Sequence, residues 1–219
     1  MVGKALARVL LAAILAVCVG FSVAGEPVRL LVLGDSLSAA YGMTVQDGWV
    51  ALLERRLRAD RAALPAGFPE VEIVNASISG ETTAGGLERL PRLLAEQHPR
   101  VVVIALGAND GLRGFSLQEI GERLVRMIAM AENAGATVLL AGIRLPPNYG
   151  AAYGDGFQRL FASVAEQTGA RLIPRLLEGV AERWDLMQDD GLHPTAAAQP
   201  RILDNLWPAL REMLHASGN

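Results

Sequence analysis

Apolar positions along the 219-residue chain follow two alternating patterns. Short, nearly continuous apolar runs occur at residues 28–33, 71–74, 101–106 and 137–143, with a shorter one at 171–173. Such runs suit strands covered on both faces. Between them, apolar residues recur at helical spacing over residues 48–59, 83–97, 116–133 and 156–167, and again over 195–214. Ser116 and Glu119 form a capping box ahead of Ile120, Leu124 and Ile128. Pro91 is expected to kink or break the second helix, and Pro200 and Pro208 leave the continuity of the last one open. This alternation predicts an α/β fold. Its core is a parallel five-stranded sheet between helix layers, a three-layer α/β/α sandwich with right-handed crossovers.

The first two dozen residues follow neither pattern. Lys4 and Arg8 precede an apolar stretch over residues 9–19, and Ser22, Val23 and Ala24 are small residues suited to cleavage. Residues 1–24 read as a secretory signal peptide, too short in its apolar part for a membrane span. Cys18 offers a lipoprotein site as the weaker alternative, because Val17 stands where that processing favours Gly, Ala or Ser. Cleavage near Ala24 leaves residues 25–219 as one domain, periplasmic or secreted. It also removes the sole cysteine and the sole lysine. No disulfide, Schiff base or P-loop lysine remains. Net charge moves from −3 to −5, a balance unsuited to nucleic acid. Arg55, Arg56, Arg58 and Arg61 on the first helix read as a solvated face.

In parallel sheets, functional residues collect at the carboxyl ends of the strands. Ser36 follows the first strand, Gly80 the second, Asn109 the third, and Asp190 and His193 lie after the fifth. A serine, a histidine and a carboxylate three residues before it can supply a nucleophile, a base and the group that orients the base. Taken singly, each residue has a plain alternative. Ser36 could cap a helix, His193 could be a structural histidine, Asn109 could close a turn, and Asp190 could cap the turn at Gly191. Four such coincidences at one sheet edge are a poorer account than a site. Ser38 stands where a Gly-x-Ser-x-Gly elbow needs its last glycine, which disfavours an α/β-hydrolase. His98 and His215 read as surface residues at helix ends.

Gly34-Asp-Ser-Leu37, the segment Asn75-Ala-Ser-Ile-Ser-Gly80, Gly107-Ala-Asn109-Asp110 and Asp190-Gly-Leu-His193 resemble the four sequence blocks of the GDSL, or SGNH, hydrolases. Leu145-Pro-Pro-Asn-Tyr-Gly150 and Met187-Gln-Asp-Asp-Gly-Leu-His-Pro194 are similar to the branch of bacterial periplasmic thioesterases, lysophospholipases and multifunctional esterases. Ala108 is a small departure, at a place where relatives often carry glycine. The resemblance implies a flavodoxin-like fold and a serine hydrolase acting on acyl esters, thioesters or single-chain phospholipids. It implies Ser36 as nucleophile, His193 as base and Asp190 as its partner. The oxyanion hole would comprise the N–H groups of Ser36 and Gly80 and the Asn109 amide. No metal or other cofactor is expected, since there is no HExxH and no second histidine cluster. The expected partner is a small acyl substrate, with at most transient membrane contact, and the chain is expected to act as a monomer. Leu112, Phe115, Leu145, Tyr149 and Tyr153 are candidate walls of an acyl groove, with ordinary loop packing as the alternative. Two other readings stand beside this one: a carbohydrate O-acetylesterase of the same superfamily, and a non-enzymatic periplasmic flavodoxin-like binding module. Aromatic content of only 5% argues against sugar-stacking platforms.

Overall fold

A computed structural model describes residues 26–59 and 61–218. The signal peptide expected over residues 1–24 lies outside the described residues. The sheet contains β1 (Val28–Gly34), β2 (Val71–Asn75), β3 (Val101–Ala105), β4 (Thr137–Ala141) and β5 (Arg171–Ile173). All neighbours are parallel, in the order β2-β1-β3-β4-β5. This is the flavodoxin-like order, and it reverses direction between β1 and β3. Gly34 pairs with Ala105 in register, so the chain leaves both strands side by side at that switch. Every residue of β3 is buried, as its unbroken apolar run requires.

Helices α1 (Trp49–Ala59) and α6 (Gln199–Ser217) pack together on one face of the sheet. On the other lie α2 (Thr83–Gln97), α4 (Leu117–Asn133) and α5 (Ala151–Thr168), with a one-turn α3 (Ala108–Leu112) at the sheet edge. The core joins both layers: Trp49 and Leu53 from α1, Phe157 and Phe161 from α5, and Leu30, Leu31 and Ile104 from the strands are all fully buried. Among the described residues, no helix is long and apolar enough to cross a membrane.

Several local expectations are corrected. The α2 helix runs unbroken through Pro91, whose ring is exposed and so meets no packed neighbour layer. Pro208 is likewise inside a continuous α6, while a 3-10 turn at Ala196–Ala198 replaces the expected first turn. Helix α5 starts five residues earlier than its periodicity suggests, and β4 ends at Ala141. The capping box at α4 is half made. Ser116 accepts from the Glu119 N–H at 3.5 Å, but the Glu119 carboxylate turns to Arg123. The arginine face is not merely solvated. Arg56 pairs with Asp204 at 2.8 Å and lies over Trp207, and Arg61, beyond the end of α1, donates to Pro69 O. His215 is half-buried and stacks on Phe68.

Pro91 deprives an exposed helix interior of one N–H donor and crowds the preceding turn. Pro91→Ala is therefore expected to stabilise the protein by about 1–3 kcal/mol. The check is a rise in the urea midpoint at unchanged slope. A fall would show that the proline ring contributes packing that its exposure conceals.

Candidate active site

The site begins with the close approach that ends β1. A Cβ on Gly34 would lie 2.8 Å from Ser38 Oγ and 2.9 Å from Ser77 Oγ, so only glycine lets the loops after β1 and β2 close here. The chain then enters consecutive turns. Asp35 O accepts from the N–H groups of Ser38 and Ala39, and Ser36 O from that of Tyr41. No helix starts at Ser36, since α1 begins only at Trp49; the helix-cap reading of Ser36 fails. Asp35 is 1% exposed, and its Oδ1 accepts from the Leu37 N–H at 3.0 Å. Burial pushes its carboxyl up to about 6. The Leu37 N–H and the charge of His193 oppose that rise, while Asp110 adds to it.

Residues 187–194 form a tight loop that returns to Ser36. Met187 and Pro194 bridge, and the Gln188 N–H donates to His193 O at 2.7 Å. Gly191 has φ +66°, the left-handed conformation that the reversal between Asp190 and His193 needs. Asp190 Oδ1 accepts from the N–H groups of Leu192 and His193, each at 2.9 Å. Its Oδ2 lies 2.6 Å from His193 Nδ1, and His193 Nε2 lies 2.9 Å from Ser36 Oγ. Desolvation works to raise the Asp190 carboxyl, but the hydrogen bonds from the imidazole and the two N–H groups outweigh it and hold it down at about 2. Asp189 is exposed and makes none of these bonds. Tyr41, which sequence reasoning did not single out, packs its ring 4.4 Å from that of His193. Gln188 Nε2 secures this contact by donating to both Tyr41 O and Pro194 O.

Asn109 sits in α3 rather than in a simple turn. Its Nδ2 donates to Glu81 O at 3.0 Å and lies 3.4 Å from Asp35 Oδ2. The next residue, Asp110, is fully buried and accepts from the Thr83 N–H at 2.8 Å and the Thr83 hydroxyl at 2.6 Å. Gly80 is exposed, and its carbonyl accepts from Arg113. Neither the Ser36 nor the Gly80 N–H has a protein acceptor among the described residues. A hydroxyl bonded to an imidazole, backed by a carboxylate and flanked by free donors, is an arrangement suited to acyl transfer.

A cleft of about 520 Å³ opens beside Ser36 and His193. Leu112 and Leu145 line it, in company with Ile143, Leu177, Trp184 and Met187. Phe115, Tyr149 and Tyr153 do not line it. Instead the Tyr149 hydroxyl donates to Leu112 O, bracing that wall residue, and the Tyr153 hydroxyl donates to Phe115 O, outside the cleft. Leu177, Trp184 and Met187 come from the irregular segment after β5, where no periodic pattern marks a facing side.

A family model described as "GDSL-like Lipase/Acylhydrolase family" matches residues 32–200. Esterase TesA of Pseudomonas aeruginosa is 52% identical over 185 residues, covering 84% of this chain and 89% of that protein. Thioesterase 1/protease 1/lysophospholipase L1 of Escherichia coli is 40% identical over 186 residues, 85% of each. Among solved structures, the psychrotrophic esterase EstA from Pseudoalteromonas sp., inhibited by monoethylphosphonate, superposes with a TM-score of 0.78. It is 40% identical, covering 85% of this chain and 98% of that one.

The buried Asp35 carboxyl gives a pH-dependent stability. Its native value of about 6 exceeds the ordinary 3.8, so the folded chain keeps this proton longer than the unfolded chain does. The resulting advantage is full below about pH 4 and is lost as pH rises through 6. The difference corresponds to about 3 kcal/mol. Asp35→Asn keeps the acceptor for the Leu37 N–H and removes the charge. It is expected to raise unfolding free energy at pH 8 by up to about 3 kcal/mol, and by much less at pH 4. Urea melts at the two pH values provide the check; an equal change at both would exclude the charge as the cause.

Proposed function

The chain belongs to the GDSL-like lipase/acylhydrolase family, and on that premise we propose that it hydrolyses acyl esters and thioesters through an acyl-serine at Ser36. The observation that carries this reading is the hydrogen-bonded relay from Asp190 through His193 to Ser36, at 2.6 and 2.9 Å. His193 Nε2 takes the hydroxyl proton as Ser36 Oγ attacks the acyl carbonyl. The C–O or C–S bond then breaks, and the same nitrogen returns the proton to the leaving group. Water, deprotonated by His193 in turn, releases the acid and frees the serine. Asp190, held ionised by the imidazole and two backbone N–H groups, keeps Nδ1 protonated and balances the imidazolium. The Ser36 and Gly80 N–H groups and the Asn109 amide receive the developing oxyanion.

The substrate class follows from the cleft. Leu112, Leu145, Leu177 and Met187 make a wall suited to an acyl chain beside the nucleophile. Single-chain phospholipids fit this description, and a relative carries lysophospholipase in its name. Lys4, Arg8 and the apolar residues 9–19 support export, with cleavage near Ala24 and action outside the cytoplasm.

A fluorophosphonate probe tests the core of the proposal. Labelling is expected at Ser36 and is expected to vanish, with turnover, in Ser36→Ala; labelling at Ser38, Ser77 or Ser79 would refute the assignment. Asp190→Asn is expected to lower kcat strongly, by as much as about 10⁴, while Asp189→Asn changes it little. Steady-state assays of folded variants decide this, and the reverse ranking would displace Asp190. Across acyl esters from two to sixteen carbons, kcat/KM is expected to rise over several methylenes, each adding up to about 0.8 kcal/mol, and then level off. A strict acetyl preference would argue instead for an acetylesterase.

A further inference from the structure

We propose that Asp35 is a positioning residue for the oxyanion site: its carboxylate selects the donor end of the Asn109 amide and gives up one of its N–H groups to the oxyanion. This rests on the reading of Asn109 as an oxyanion donor. An asparagine amide has a donating end and an accepting end, and only the donating end stabilises a negative oxygen. Two acceptors surround it here, Glu81 O at 3.0 Å and Asp35 Oδ2 at 3.4 Å, and both select Nδ2. The two contacts are unequal. The first has ordinary hydrogen-bond length, while the second lies beyond the usual 2.7–3.2 Å range. The weaker one can be traded. As negative charge forms on the substrate oxygen, the second N–H turns from Asp35 to it, and the bond to Glu81 O keeps the amide in place.

An ionised carboxylate suits this task because it has no donor of its own. An amide or a protonated acid at position 35 could donate to Asn109 Oδ1 and would favour the flipped, accepting orientation. Asp35 is 1% exposed, with the Leu37 N–H on its other oxygen. The titratable groups that face it are His193, from the loop after β5, and Asp110, from α3. A buried charge without a paired cation is costly to maintain. A purely structural role, holding the turn through the Leu37 N–H, would be met equally well by asparagine.

The test compares wild type, Asp35→Asn, Asn109→Ala and the double variant, each confirmed as folded. The readouts are kcat and KM on a medium-chain ester, and affinity for an acyl trifluoromethyl ketone, whose Ser36 adduct places an oxyanion in the site. Asp35→Asn is expected to lower kcat by about 10–10²-fold with KM within about two-fold, and to weaken the ketone by a similar factor. In the Asn109→Ala background, the same substitution is expected to change kcat by less than about two-fold. Wild-type kcat in Asp35→Asn, or equal losses in both backgrounds, would overturn the proposal. Wild-type kcat in Asn109→Ala would overturn the oxyanion reading itself, and this inference with it. If Asp35→Asn does not fold, a crystal structure of wild type carrying a phosphonate on Ser36 decides. Asn109 Nδ2 bonded to both the phosphonyl oxygen and Glu81 O would support the proposal, and an amide still directed at Asp35 would refute it.

Discussion

The geometry of this protein depends on the buried contact between Asp110 and Thr83. Both oxygens of a fully enclosed carboxylate are taken up by one residue, the backbone N–H and hydroxyl at the start of α2. The positive end of that helix and the guanidinium of Arg123, 3.7 Å away on α4, share its charge. Asp110 is the immediate neighbour of Asn109. The loops after β2 and β3 are thus joined through a bond that has no water to replace it. Removing the Thr83 hydroxyl would leave a buried carboxylate oxygen without its donor, a cost of about 1–3 kcal/mol. The placement of the site is therefore set by the scaffold under it, more than by the loops that display it.

The sheet order sets a second condition. Between β1 and β3 the connections diverge to opposite sides, which opens a crevice at their carboxyl ends. Ser36 leaves one strand and Asn109 follows the other, so the hydroxyl and the amide face a common space. Asp190 and His193 reach this space from β5, two strands away, over a long irregular segment. Apolar residues of that segment, Leu177, Trp184 and Met187, become the wall of the cleft as it crosses. One length of chain thus delivers His193 and half of the apolar lining of the cleft.

The strands were legible because burial on both faces leaves an unbroken apolar run, and helices such as α4 because one stripe faces the core. Family-type blocks marked Ser36, Asn109, Asp190 and His193, and the topology gave them a common edge. What the sequence obscured was set by contacts distant along the chain. Asp35 looks like a turn residue until its burial is seen, and Tyr41 like an ordinary surface aromatic until it meets His193. Tyr149 and Tyr153 sit near the cleft in sequence, but their hydroxyls turn them toward backbone carbonyls. Pro91 misled because the rule against helix-interior proline concerns local cost, and the α2–α4 and α2–β1 packing overrides it.

Ser36 and His193 are 157 residues apart. Closing a loop of this length costs chain entropy before the contact can repay it. A chain still emerging from synthesis carries the serine before His193 has been made. Under the proposed mechanism the Ser36 hydroxyl is inactive until this loop docks, so hydrolysis would report completed folding. A truncation between Ile173 and His193 would keep the residues of all five strands but lose both His193 and α6, the helix that covers one face of the sheet with α1.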